Sequence, residues 1–249
     1  MFHLAAFSES QDSATLTNVA ALADQTLQIA GDDMIVPDDL PFLLGYYGLG
    51  PNLTRAQLVS PSLRSTWAEE ISPQDVAAIP GSPYAWTYLG DAAIPLVPDE
   101  ALNAQAAEDN AAAARATIGI WLCDQPPQPI IGMEIRSVRV TGAFTATANT
   151  WTNGSLVFAD TLPSGRYALV GARLVSTNLQ LFRFVFKGGM YRPGAIGQGG
   201  VSRIEDPLFR KGKLGVWGEF QHNTPPSVDV LCNGADASFS GILDLVYLR

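Results

Sequence analysis

The sequence predicts an all-β chain built as two tandem eight-stranded jelly rolls, with a short helix inserted in the first. Three observations carry that expectation. Only 16% of residues are charged, while 23 are glycine and 17 are proline, a composition suited to short strands joined by frequent turns. A stretch around Gly45 recurs 126 positions later without a gap. Between the two copies, at mid-chain, stands the proline cluster "DQPPQP", Asp124 to Pro129, which stiffens a connection and cannot donate to a ladder.

Taken in order, "MFHLAAFSESQDS" has neither a basic start nor enough apolar length for a secretory signal, and residues 1–13 are expected to form an N-terminal arm. "ATLTNVAALADQTLQIAG" holds two short β-compatible runs. "DDLPFLLGYYGLGPNLTRAQLVSPSLR" is part strand and part helix by periodicity. From Thr66 to Pro98, proline, glycine and aromatics read as strands joined by ordered turns. "DEALNAQAAEDNAAAARA", Asp99 to Ala116, is the predicted helix: acids at its start, a run of alanine, and Arg115 near its end. "TIGIWLCD" reads as a buried strand. The first jelly roll is thus placed at 14–124, a connector at 125–132 and the second jelly roll at 133–249, where alternation and Gly/Asn/Pro turns mark almost pure β structure.

The repeat keeps its landmarks in order. Gly45 and Gly171, Asn52 and Asn178, Leu53 and Leu179, and Val59 and Val185 all stand 126 apart, as do Pro37 and Pro163. Trp86 is followed nine residues later by Pro95 and then Val97, and Trp217 by Pro226 and Val228, at an offset of 131. The closing runs "GIWL" and "LVYL" return to 126. Such drift places insertions in loops between matched strands, as duplicated β domains tolerate. Gly45, Asn52, Trp86, Gly171, Asn178 and Trp217 are therefore expected to be shared core, turn or packing positions.

The formal charge of −9 hides an asymmetry. Residues 1–125 carry 3 Lys/Arg against 16 Asp/Glu, a balance of −13, and residues 126–249 carry 12 against 8, a balance of +4. Opposed halves suit contacts between neighbouring copies and disfavour nucleic-acid binding by the whole chain. The one basic cluster, Arg210, Lys211 and Lys213 with Arg203 nearby, is the expected subunit contact, with Asp38 and Asp39 as acidic counterparts.

No catalytic, cofactor or metal constellation is legible. His3 and His222 stand alone, whereas a metal-binding jelly roll needs imidazoles and carboxylates converging on one ion. Cys123 and Cys232 have no evident base and read as buried hydrophobes, a bridge between them remaining open. The acid pairs Asp32/Asp33, Asp38/Asp39 and Glu69/Glu70 leave a hydrolase reading in third place. "GGMYRPGAIGQGG" lacks the Lys-Ser/Thr of a phosphate loop and reads as an interface loop. Exposed aromatics on a β platform would suit sugars, so a carbohydrate-binding or adhesive β-sandwich of a virion or cell surface is the alternative, resting on Trp67 and Trp151.

The tandem "LxGxxxxxxNL" copies, the repeated W-x8-P-x-V and the proline connector give the chain, from about Leu16 to Leu248, an organisation similar to the double jelly-roll major capsid proteins of tailless icosahedral viruses, including bacteriophages. That resemblance implies a non-enzymatic structural protein. It further implies a homotrimer tiling a pseudo-hexameric lattice around the genome, partners such as a penton protein or internal membrane, and a virion protein made in the host cytoplasm.

Overall fold

The computed structural model describes residues 1–64, 68–73, 86–109, 113–199 and 207–248. The chain packs as two compact units, His3–Pro126, and Pro127–Arg249 together with Met1–Phe2. The division falls inside the proline cluster.

The first half contributes β1 (Phe2–Gln11), β2 (Thr17–Val19), β3 (Ile29–Ala30), β4 (Asp33–Ile35), β5 (Phe42–Leu49), β6 (Leu53–Val59), the one-turn helix α1 (Pro61–Arg64), β7 (Glu69–Ile71), β8 (Trp86–Tyr88), β9 (Ile94–Pro95), β10 (Ala101–Glu108) and β11 (Ala114–Cys123). The second contributes β12 (Ile135–Gly142), β13 (Thr152–Gly154), β14 (Val157–Phe158), β15 (Arg166–Val175), β16 (Leu179–Val185), β17 (Gly194–Ile196), β18 (Gly218–Gln221), β19 (Ser227–Cys232) and β20 (Phe239–Leu248).

Each unit is a sandwich of two antiparallel sheets. In the first, the orders are β1-β11-β5-β8 and β2-β10-β6-β7, with β4 and β9 as extra pairings. In the second they are β12-β20-β15-β18 and β13-β19-β16-β17. Setting the extra short strands β3, β4, β9 and β14 aside, both follow one rule. The first, eighth, third and sixth strands share one sheet, and the second, seventh, fourth and fifth share the other. That is the jelly-roll order, two interleaved Greek keys, so the fold is a double jelly roll.

The correspondence extends to irregularities. Against β11 the ladder of β5 slips between Leu43 and Gly45, leaving Leu44 as an extra residue. Against β20 the ladder of β15 slips between Leu169 and Gly171, leaving Val170. A second bulge leaves Thr54 extra in β6 against β10 and Gln180 extra in β16 against β19. Both bulged pairs are 126 positions apart, as are both ends of β6 and β16. Bulges bend a strand and sharpen its twist, so the two sandwiches curve at the same places.

Four sequence expectations are corrected here. Residues 1–13 are not an arm. Ten of them form β1, with Phe2 to Ser8 buried in succession. The short helix described in the first jelly roll is α1, and within the alanine-rich segment Ala101–Glu108 is instead β10 and residues 114–116 open β11. Its Leu102, Ala104 and Ala106 alternate onto one buried face, and cross-strand pairing overrides helix propensity. The closing strands correspond at 123 rather than 126, since Trp121 opposes Gly45 and Asp244 opposes Gly171. The two tryptophans are also out of register. Trp86 opposes Tyr47, whereas the Trp217 N–H donates to the Leu169 carbonyl at 2.8 Å, and Leu169 answers to Leu43. Pro95 lies in β9, outside the strand that answers to β19, and Val97 is exposed where Val228 is buried.

Candidate functional site

The ladders superpose one polar row in both units. In the first, Gln105 of β10 lies between Asn18 of β2 and Gln57 of β6. Its amide nitrogen donates to the Asn18 side-chain oxygen at 3.0 Å, and Gln57 Nε2 donates to Gln105 Oε1 at 2.6 Å. In the second, Asp229 of β19 lies between Asn153 of β13 and Arg183 of β16. Asn153 Nδ2 donates to Asp229 Oδ1 at 2.8 Å and Arg183 Nε to Oδ2 at 3.1 Å. The same row is therefore neutral and part-exposed in one unit, and in the other it is ionic, with Arg183 and Asp229 buried and Asn153 exposed. Arg192 adds a 2.6 Å bond to the same carboxylate, and Arg183 lies 4.2 Å over the Trp151 ring, an electrostatically favourable stacking.

A second ionic cluster fixes the loop after residue 206. Asp244 of β20 is fully buried and accepts bonds from Arg210 Nε at 2.7 Å, Arg210 Nη2 at 3.1 Å, Ser137 Oγ at 2.6 Å and the Lys211 N–H at 2.8 Å. Burial pushes its carboxyl pKa up, but the Arg210 and Ser137 bonds outweigh burial and hold it below the ordinary range. A Cβ on Gly171 would fall 2.9 Å from the Phe209 carbonyl and from Asp244 Oδ2, so only glycine admits the loop. At the adjoining turn, burial is likewise outweighed at Asp236 by bonds from Ser176 and the Asn178, Ala237 and Ser238 N–H groups.

These geometries relocate the expected interface residues. Arg210 is core, its guanidinium spent on Asp244 rather than presented outward; because pairing of a buried charge is obligatory, the subunit-contact role expected for it is corrected. Lys211 is exposed along its stem and reaches Ser137 Oγ at 2.7 Å. Lys213 and the turn residues Asp38 and Asp39 are exposed. Arg203 and Trp67 lie outside the described residues. Gly45 packs tightly, with the Thr87 carbonyl 2.6 Å from where a Cβ would stand. Asn52 holds the β5–β6 turn at φ 58°. In the matching turn Asn178 donates to Asp236 and to the Ala235 carbonyl. Trp86 is half-buried and packs 5.1 Å from Trp121, while Trp217 is buried.

No family model matches the chain, and no curated protein matches it. Among solved structures, the crystal structure of the STIV major capsid protein aligns over 99% of this chain and 97% of that one, at 10% identity and a TM-score of 0.27. A likeness that loose carries no argument; the jelly-roll assignment stands on the strand orders.

The groups with catalytic potential are placed as follows. Burial pushes the Cys123 thiol up to about 11, helped by Asp124, and the Cys232 thiol up to about 12, helped by Asp236; both are free and buried. His3 is buried, its Nε2 3.1 Å from Asp24 Oδ2. His222 Nδ1 accepts the Gly165 N–H at 3.3 Å. Glu69 accepts the Tyr46 hydroxyl at 2.6 Å, which with burial raises that tyrosine to about 12. Among the described residues no three His, Cys, Asp or Glu side chains group as metal ligands, and no helix is long and apolar enough to cross a membrane.

Sequence reasoning missed Arg183, Asp229 and Asp244. One signal was available: Gln57 and Arg183 share the 126 offset inside matched strands. Their partners Gln105 and Asp229 are 124 apart and become visible only through the ladder.

Proposed function

We propose that this chain is a structural protein of a virion, a major capsid protein whose copies trimerise into pseudo-hexameric tiles and close an icosahedral shell around a genome. The observation that carries the reading is internal: one chain holds two jelly rolls with the same strand order and the same two bulges. Two similar domains let three chains fill a sixfold-like position, since successive contacts alternate between first and second halves.

The charge asymmetry then has a use. Acidic turns such as Asp38–Asp39 face basic positions such as Lys211 and Lys213 around the ring and steer copies into register. A penton protein, the genome or an internal membrane would complete the list of partners. The sugar-binding reading rests on Trp67, which lies outside the described residues, and on Trp151, whose ring is part-exposed and carries Arg183 stacked at 4.2 Å.

Light scattering and electron microscopy of the purified chain test the proposal. Trimers, tiles or shells are the expected result. A chain that stays monomeric across concentration and salt, and is retained on a glycan matrix, would overturn it.

A further inference from the structure

The dipeptide Asn-Gly occurs twice in the chain, at Asn153–Gly154 and Asn233–Gly234. It carries a chemistry of its own: the glycine backbone nitrogen can reach the asparagine side-chain carbonyl carbon, and with no Cβ on the glycine nothing crowds a five-membered ring closing between them. Both asparagines are exposed, so access to water does not separate them. Their backbones do.

Asn153 stands in β13, where it opposes Asp229 while Gly154 opposes Val228. Its side-chain amide donates to Ser227 Oγ at 3.0 Å and to Asp229 Oδ1 at 2.8 Å, and a Cβ on Gly154 would fall 2.3 Å from the Phe144 ring. In an extended strand the side chain stands off the sheet, away from the following peptide, so ring closure at Asn153 needs the ladder to open. Asn233 instead follows the last residue of β19, in the exposed bend that leads to β20. Its N–H donates to the Asn178 carbonyl at 3.0 Å, but its side chain and the Gly234 N–H have no hydrogen-bond partner among the described residues. A Cβ on Gly234 would fall 3.0 Å from Asn178 Nδ2. Packing against the repeat's asparagine therefore favours glycine and keeps the reactive pair together.

We propose that Asn233–Gly234 is a self-modification site of the folded chain. The Gly234 nitrogen attacks the Asn233 side-chain carbonyl carbon. The new N–Cγ bond closes a succinimide, the Cγ–Nδ2 bond breaks, and the Gly234 proton departs with the side-chain nitrogen as ammonia. Water then adds to either ring carbonyl, and cleavage of that carbon–nitrogen bond leaves aspartate or isoaspartate. Nothing is oxidised or reduced; one water enters and one ammonia leaves. The product carboxylate stands three residues before Asp236, which already accepts bonds from Ser176 and the Asn178 N–H, and makes the chain one unit more negative than −9. The isoaspartate form also lengthens the backbone ahead of the bridge between Asp236 and Ala146.

Full chain kept folded in mildly alkaline buffer made with heavy-oxygen water, then digested and read by mass spectrometry, tests this. The heavy oxygen marks hydrolysis that took place before digestion. The Asn233 peptide is expected to convert to a mixture of aspartate and isoaspartate at least about tenfold faster than the Asn153 peptide, whose ladder must open first. In guanidinium the two rates are expected to agree within about threefold, because neither pair is then held. Asn233→Gln, on an exposed side chain, is expected to remove the conversion at this position with an unchanged thermal midpoint. A folded chain in which Asn233 does not convert, or in which Asn153 converts as fast, overturns the proposal.

Discussion

Arg210 lays its guanidinium fork on the Asp244 carboxylate, with Nε 2.7 Å from Oδ2 and Nη2 3.1 Å from Oδ1, and both side chains are almost fully buried. Truncating one partner strands the other's charge in the interior. Arg210→Ala is therefore expected to cost about 3–5 kcal/mol, read by denaturant unfolding. Lys213→Glu, on an exposed side chain, is expected to leave stability within about 0.5 kcal/mol.

Acid should weaken the second jelly roll. The folded carboxyls of Asp244 and Asp236 titrate below their ordinary values, so their stabilising contribution is present above the unfolded value of about 3.9 and is lost as pH falls through the folded ones. The thermal midpoint is expected to drop steeply below about pH 4. Asp244→Asn should be less stable at neutral pH and show a shallower acid limb.

The superposed polar rows should differ in weight. Gln105→Ala removes hydrogen bonds between neutral, part-exposed amides and is expected to cost about 0.5–1.5 kcal/mol. Asp229→Ala takes the carboxylate from the buried Arg183 and from Arg192, with an expected cost of about 3–5 kcal/mol. Equal losses in matched unfolding curves would contradict this reading of the two rows.

The matched glycines are steric requirements. An alanine methyl at Gly45 would stand 2.6 Å from the Thr87 carbonyl, and one at Gly171 would stand 2.9 Å from the Phe209 carbonyl. Each substitution is expected to destabilise by about 1–3 kcal/mol, measured by thermal unfolding.

Both thiols should be silent in the native protein. With folded values near 11 and 12, thiolate at pH 8 amounts to about one part in a thousand or less. A chromogenic disulfide reagent is expected to label neither cysteine until guanidinium unfolds the chain, and then both.

How far the fold could be read from the chain follows from what each signal measures. The strands β5–β6 and β15–β16 were legible because glycine, Asn-Leu and valine recur at one spacing, with turns of equal length and no insertion between them. The alanine-rich segment misled because alanine both favours helices and hides alternation: Leu102, Ala104 and Ala106 do alternate with Asn103 and Gln105, but with little contrast in size. The W-x8-P-x-V echo misled because equal spacing in sequence is not equal register on a sheet.

By itself the sequence determined the all-β class and the tandem pair of jelly rolls, since composition, periodicity and local turn chemistry act between near neighbours. Only the tertiary structure decided which strands share a sheet, that β1 is a buried strand, and that Arg210 is an internal counter-charge. Those outcomes depend on contacts such as Arg210 with Asp244 and Arg183 with Asp229, whose partners lie tens of residues apart and meet only when the ladders close.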